Sequence, residues 1–252
     1  HLLARIHHTS YEDLLVQNIA GPLEMNETRI TLSNRMEDQL APGHNDGKIV
    51  ENWDIPTLAG AGAIRSSASD MARFIAANLG YIQSPVTQAL ELSHRVRHDK
   101  AGTMRVGLGW HIKGGLKGDV YWHNGGTGGY RAFAGFVKET GKGVVVLTNS
   151  DISADDIGFH LLDPGSKLLD LNMKSEAIRV PEEILEAYVG VYEIQPGFTL
   201  TVTREGPQLF TQATGQDVFE IYAKTETDFF LTAVQASLSF QLEDDTVTGL
   251  IL

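Results

Sequence analysis

Apolar positions recur at helical spacing at the start of the chain, where Leu2, Leu3 and Ile6 would share one face with no capping residue ahead of them. Ser10 can cap a second helix, with Glu12 and Asp13 in its first turn, Leu14, Leu15 and Ile19 on its inner face, and Gly21-Pro22 as its stop. Between residues 31 and 62 the periodicity breaks at Pro42-Gly43, Asn45-Asp46-Gly47 and Pro56, which predicts loops that wrap a site rather than build a core. Helical spacing returns after Ser67-x-x-Asp70, a capping box, with Met71, Phe74, Ile75 and Leu79 as the stripe and Gly80 as the end. A further helical piece is predicted over Ser84 to His98. The period then shortens to that of strands in MRVGLGWHI, DVYWHNGG, YRAFAGFVKE and GVVVLTNS. These predict an antiparallel sheet, with Gly141-Lys142-Gly143 as the turn between the last two strands. Ile157 to Leu171 reads as an amphipathic helix on one face of that sheet, bent at Pro164-Gly165.

The style of the sequence changes near Lys174 to Pro181. From Tyr188 onward the chain is a series of short alternating runs, FTLTVTR, QLFTQAT, DVFEIYA, DFFLTA, SLSFQLE and TVTGLIL, punctuated by Glu205-Gly206-Pro207 and Asp244-Asp245. The expected organisation is an α+β domain over residues 1–178 followed by a small all-β domain over 179–252.

Composition narrows the classes. A chain of 252 residues with 42% hydrophobic and 21% charged residues can bury a substantial core, and no apolar run in it is long enough to cross a bilayer as a helix. The formal net charge of -12 disfavours nucleic acid and anionic membrane as partners. With no cysteine there is no thiolate nucleophile and no zinc-thiolate cluster.

The densest candidate chemistry is YWHNGGTGGYRAFAGF, residues 121–136. His123, Asn124, Gly125, Gly126, Thr127 and Gly128 place a titratable base, an amide and unshielded backbone N–H groups in what reads as one glycine-rich turn, suited to an oxyanion. The competing reading is a histidine that satisfies a strand end. Elsewhere the plainer readings prevail. His44 reads as a solvated loop side chain, Ser67 as a helix cap with Ser66 beside it, and Asp151, Asp155 and Asp156 as a solvated acidic helix start. His7-His8 and the pair His94 and His98 lack an acidic partner at metal-binding spacing, and no Walker A or dinucleotide fingerprint occurs. No metal and no cofactor is expected.

Residues 121–136 resemble the third motif of the penicillin-recognising serine hydrolases, the group of class C β-lactamases, penicillin-binding proteins, esterases and D-peptidases, where it reads Lys-Thr-Gly with a His-x-Gly variant. The stretch SYEDLLVQNIAGPLEMNETRI is similar to the segment that follows the second motif, Tyr-x-Asn, in that family, and AGAIRSSASDMARF is also typical of it. Tyr188, Gly190 and Tyr192 resemble the start of the lipocalin-like barrel often appended to such hydrolases. The resemblance implies a partial β-lactamase/transpeptidase-like fold, an antiparallel sheet with flanking helices whose N-terminal strands are missing, followed by a small lipocalin-like barrel.

On that resemblance His123 stands for the lysine, Asn124 for the threonine and Gly125 for the glycine. Gly126 would then give an oxyanion N–H, with Thr127 and Gly128 lining the substrate. The family's nucleophile is the serine of Ser-x-x-Lys, and neither that motif nor Tyr-x-Asn occurs in these 252 residues. The chain is therefore expected to begin just downstream of the second motif and to be a portion of a serine hydrolase acting by acyl-enzyme chemistry on an ester, β-lactam or D-peptide. Two alternatives stand beside this: a non-catalytic pseudoenzyme or binding module using the His123 cleft, and an enzyme of another kind using Ser66, Ser67 or a His pair. Missing strands would leave Val144 to Leu147 on an open sheet edge, predicting self-association or association with the missing segment. A periplasmic or extracellular location is implied by the resemblance alone.

Overall fold

A computed structural model describes residues 1–55, 57–99, 104–168, 177–216, 218–232, 236–244 and 246–252. The chain divides into two compact units, His1–Leu168 and Leu169–Leu252. The predicted change of style near Lys174 lies outside the described residues, as do Leu171 at the end of the predicted last helix and Asp245.

The first unit opens with α1 (Leu2–Ile6), which forms as its spacing predicts but buries none of its residues. In α2 (Tyr11–Leu15) the Ser10 hydroxyl accepts from the Asp13 N–H, and the helix continues as a π-helical turn over Val16–Ala20. Leu15 and Ala20 are buried, whereas Ile19 faces solvent because the wider turn rotates it off the inner face. Next come α3 (Asn34–Gln39), a two-stranded ribbon of β1 (His44–Asn45) and β2 (Lys48–Ile49), and a single turn α4 (Ala59–Gly62). The strongest sequence signal becomes α5 (Ala68–Asn78), with the Ser67 hydroxyl accepting from the Asp70 N–H at 3.2 Å. The Asp70 carboxylate accepts from the Glu27 N–H and the Thr28 hydroxyl, both at 2.8 Å, which ties the helix start to the preceding loop. The following helix, α6 (Thr87–Ser93), is shorter than predicted. His98 belongs to a strand, so His94 and His98 share no helical face.

Six antiparallel strands form one sheet in chain order: β3 (His98–Asp99), β4 (Arg105–Val106), β5 (His111–Gly115), β6 (Gly118–Thr127), β7 (Tyr130–Val137) and β8 (Lys142–Thr148). The period of two sorts the side chains between two cores. Phe133, Val137, Val144 and Val146 face α7 (Asp155–Leu162), while Ala134, Phe136 and Val145 pack with Ile75 and Phe74 of α5 and with Trp110. Phe133 and Phe136 are almost wholly excluded from water, each worth roughly 1.5–3 kcal/mol by area. The two helices thus clamp β7 from opposite sides.

The glycines between β7 and β8 do different work from that predicted. Lys142 already pairs with Val137, and the turn is closed by Gly141 at φ 65°; Gly143 is in the strand, where an added Cβ would stand 2.3 Å from Ile75 Cγ2 of α5. α7 ends at Asp163, ahead of Pro164, rather than continuing through it. Among the described residues strand β8 pairs only with β7 and forms a sheet edge, as predicted for Val144 to Leu147.

The second unit contains α8 (Glu182–Ala187) and an antiparallel meander of β9 (Gly190–Gln195), β10 (Phe198–Glu205), β11 (Gln208–Ala213), β12 (Val218–Ala223), β13 (Asp228–Leu231), β14 (Ser237–Glu243) and β15 (Thr246–Ile251). β15 comes back beside β9, so the sheet is nearly closed and barrel-like. Its core gathers Leu200, Val202, Leu209, Ile221, Phe229, Leu238 and Phe240 around Tyr188, whose ring stacks on Phe240 at 4.0 Å and whose hydroxyl donates to the Glu226 carbonyl.

Candidate active site

The predicted glycine-rich turn is mostly strand. His123 to Thr127 are the last residues of β6 and pair in register with β7, from His123 opposite Ala134 to Thr127 opposite Tyr130, so the turn is only Gly128 and Gly129. A flexible sequence stays extended here because β7 holds it on one side and Gly129, at φ 75°, supplies the reversal.

Pairing also fixes where the peptide groups point. Thr127 and Tyr130 close a two-residue loop and therefore exchange hydrogen bonds, so alternation directs the peptide groups of His123 and Gly125 towards β7 and those of Asn124 and Gly126 away from it. On that outward side β5 runs only as far as His111, opposite Trp122. The Gly126 N–H thus faces outward past the end of β5. His123, Asn124, Gly125 and Gly126 are all exposed.

His123 lies along this open edge. Its Nδ1 is 2.5 Å from the Asn124 carbonyl oxygen. A carbonyl only accepts, so Nδ1 carries the hydrogen and Nε2 of the neutral ring keeps its lone pair. The ring stacks on His111, centroids 5.1 Å apart and planes at 17°. Burial, and secondarily the charge of His123, pushes the His111 imidazole below its ordinary value, so His111 offers a neutral aromatic face.

The other face of β6 is pinned residue by residue. Trp122 stacks on Phe133 and meets Phe159 of α7 edge-on. Asn124 donates from Nδ2 to the Asp155 carboxylate at 2.7 Å. Across the pair from Gly126, the Arg131 guanidinium lies so close that a Cβ on Gly126 would stand 2.0 Å from Nη1, and Arg131 Nε donates to the Asp151 carbonyl. Asp155 is not the solvated helix start predicted for it: burial raises its carboxyl above the ordinary range, against the lowering effect of hydrogen bonds from Asn124 and Ser153.

The loop before α4 encloses the end of the strand, as its composition predicts. The His44 N–H donates to the Gly129 carbonyl, and the His44 ring bonds the Asn149 carbonyl at 3.1 Å, so this histidine is tied down rather than solvated. Trp53 stands against Gly128, where an added Cβ would meet its ring at 2.7 Å, yet the residue remains 57% exposed. Thr127 Cγ2 approaches Gly62 of α4.

The structure therefore brings His123 and the peptide groups of Asn124 to Gly126 to one open edge, turns the Asn124 amide away to Asp155, and leaves Thr127 and Gly128 under the loop. Ser66 and Ser67 belong elsewhere, in the network of Thr28 and Asp70. Among the described residues no three His, Asp or Glu side chains are grouped to hold a metal ion, and no helix is long and apolar enough to cross a membrane. Sequence reasoning missed His111, Arg131 and the role of Asp155. The strand period signals Asn124 and Gly126 as one face, but not which partners cover it.

Comparison with known proteins agrees with this architecture. The chain is 27% identical to "Penicillin-binding protein 4*" of Bacillus subtilis (strain 168) over 96% of its own length and 59% of that protein, and 24% identical to "Beta-lactamase" of Escherichia coli (strain K12) over 56% of its length and 46% of that protein. It thus spans about half the length of these curated relatives. Among solved structures, the octameric penicillin-binding protein homologue from Pyrococcus abyssi matches with TM-score 0.53 at 20% identity, covering 97% of this chain and 59% of that one. A class C beta-lactamase matches with TM-score 0.56 at 22% identity, covering 60% and 50%. The sequence model described as a domain of unknown function (DUF3471) matches residues 174–252. The sequence model of the Beta-lactamase family matches residues 1–161, and the chain belongs to that family.

Proposed function

We propose that this chain is part of a serine hydrolase acting through an acyl-enzyme on a β-lactam, ester or D-peptide, and that the edge of β6 is one wall of its site. The observation that carries this reading is the outward Gly126 N–H beside His123 on an exposed edge, within the stretch matched by the Beta-lactamase family. His123 Nε2, with its lone pair, accepts or relays a proton; the Gly126 N–H donates to the oxyanion; Gly125 lets a substrate lie against the strand. Ser-x-x-Lys and Tyr-x-Asn are absent from the 252 residues, so the nucleophile and its lysine come from chain outside them. The serine hydrolase nature of the family, the 59% coverage of the Bacillus relative and that relative's name support this assignment. We assign residues 179–252 as a lipocalin-like appendage on the strength of the nearly closed meander, which has seven strands among the described residues where lipocalins have eight. The open edge of β8 and the octameric relative support self-association, and the family resemblance supports a periplasmic or extracellular location.

The test is intact-mass analysis after incubation with a penicillin and with p-nitrophenyl acetate. The 252-residue chain alone is expected to form no adduct, and the same chain continued upstream into a serine–lysine motif is expected to gain one acyl group. A coding sequence that lacks such a motif makes the chain a pseudoenzyme. Turnover by the chain alone that is lost in Ser66→Ala or Ser67→Ala but kept in His123→Ala assigns the chemistry elsewhere.

A further inference from the structure

We propose that Asp155 is a positioning residue for His123, holding the imidazole through both hydrogen-bonding ends of Asn124 so that Nδ1 is occupied and Nε2 is presented. This rests on the reading of the His123 edge as a wall of an acyl-transfer site, which gives the presented nitrogen its use.

Two bonds meet at Asn124. Its side-chain Nδ2 donates to Asp155 Oδ2 at 2.7 Å, and its carbonyl accepts from His123 Nδ1 at 2.5 Å. Pairing with β7 holds the Gly125 end of the peptide, the first bond holds the Asn124 side chain, and the second uses the carbonyl held between them to choose the tautomer of the ring. Without Asp155 the Asn124 side chain loses this acceptor, and the peptide between Asn124 and Gly125 is left to its pairing with β7.

Asp155 is itself rigidly carried. It is the first residue of α7, and α7 sits so close to the sheet that a Cβ on Gly158 would stand 2.1 Å from the Phe133 ring. The groups facing its carboxylate are Asn124 from β6, Ser153 before the helix, Asp156 on the helix and Arg131 from β7. Arg131 leads back to Gly126 and Asn124 leads back to His123, so Asn124 is the link between Asp155 and the imidazole. A half-buried carboxylate whose burial works against its charge is an expensive way to make a surface hydrogen bond, which fits a fixed acceptor for one donor. The group facing the His123 ring from β5 is His111, whose stacking fixes the ring plane but not which nitrogen bears hydrogen.

The experiment reads the ring rather than turnover, using imidazole nitrogen chemical shifts of the labelled 252-residue chain at a pH where His123 is neutral. The expected result is the Nδ1–H tautomer for His123, retained in Asp155→Asn, whose side-chain oxygen still accepts from Asn124, and lost in Asp155→Ala. An Nε2–H tautomer in the unmodified chain, or an unchanged Nδ1–H tautomer in Asp155→Ala, overturns the proposal. Should Asp155→Ala fail to fold, an acid titration of the unmodified chain decides: the Asn124 side-chain amide and the Gly125 backbone amide are expected to move together as Asp155 protonates, and a Gly125 amide that stays still overturns it. A failed acylation assay would sink the proposed function and leave these resonances as they are.

Discussion

The imidazoles of His111 and His123 stack with centroids 5.1 Å apart, and the Nδ1 of His111 is buried with no hydrogen-bond partner among the described residues. Both rings cannot be charged cheaply at this distance. Burial is the larger cause of the lowered His111 value and the His123 charge the smaller, so His123→Gln is expected to raise the His111 titration only part of the way back to an ordinary histidine. The measurement is a proton NMR titration of the His111 ring in both chains. Full recovery in His123→Gln would show that repulsion, not burial, controls His111.

His94 gives the fold its clearest pH dependence. The side chain lies among Trp110, Tyr121 and Phe136 with the residue 4% exposed, and the Asn78 amide, which donates to the Phe74 carbonyl, leaves its oxygen to accept from His94 Nε2 at 2.8 Å. Burial, helped by the Lys138 charge, lowers its value to about 4 from the unfolded 6.5. The folded chain therefore binds fewer protons than the unfolded chain between these values. The stabilisation is complete above about 6.5, falls as pH drops, and is gone below about 4, to a limit of ~3 kcal/mol. Urea unfolding at pH 7.5, 5.5 and 4.5 is expected to show this decline, and His94→Gln, which keeps a donor for Asn78 but cannot titrate, is expected to flatten it.

Gly158 reports on how closely α7 is docked. Alanine is favoured over glycine inside a helix by about 1 kcal/mol. Against this, a Cβ here would stand 2.1 Å from the Phe133 ring, and overpacking of a filled core costs typically ~1–3 kcal/mol. Phe133 is almost wholly buried between Trp122 and Phe159 and has little room to yield, so Gly158→Ala is expected to destabilise by up to ~2 kcal/mol. A second substitution, Phe133→Leu, is expected to cost less in the Gly158→Ala background than alone, read as a coupling energy from urea midpoints. An Ala variant as stable as the parent would mean α7 sits further from the sheet.

The sheet was legible because period-two alternation is written directly into β7 and β8, with Phe133 and Val137 on one face and Ala134 and Phe136 on the other. The α5 cap was legible because Ser67 and Asp70 are local partners. Glycines were not: the same residue closes a turn at Gly129 and Gly141, makes room for Arg131 at Gly126 and for Ile75 at Gly143, and only distant neighbours tell these apart. Asp155 was misread for a related reason. A solvated acid and a half-buried acceptor look alike at a helix start, and its donor, Asn124, lies 31 residues earlier. Within the candidate site the motif residues were legible, whereas the groups that orient them were not.

The edge of β8 provides the last expectation. Its outer side has no strand partner among the described residues, and Leu147 is 42% exposed there. A strand with one unpaired row of N–H and C=O groups and apolar side chains is a template for another strand. Sedimentation velocity over a range of concentrations is expected to show association of the 252-residue chain, weakened in Leu147→Lys, because a lysine at the edge must be desolvated or displaced when a second strand docks. The same substitution is expected to leave the thermal unfolding of dilute chain within about 0.5 kcal/mol of the parent, since an exposed position contributes little to the core. A monodisperse monomer at high concentration would remove the edge as an association surface. Association unchanged by Leu147→Lys would move that surface away from β8.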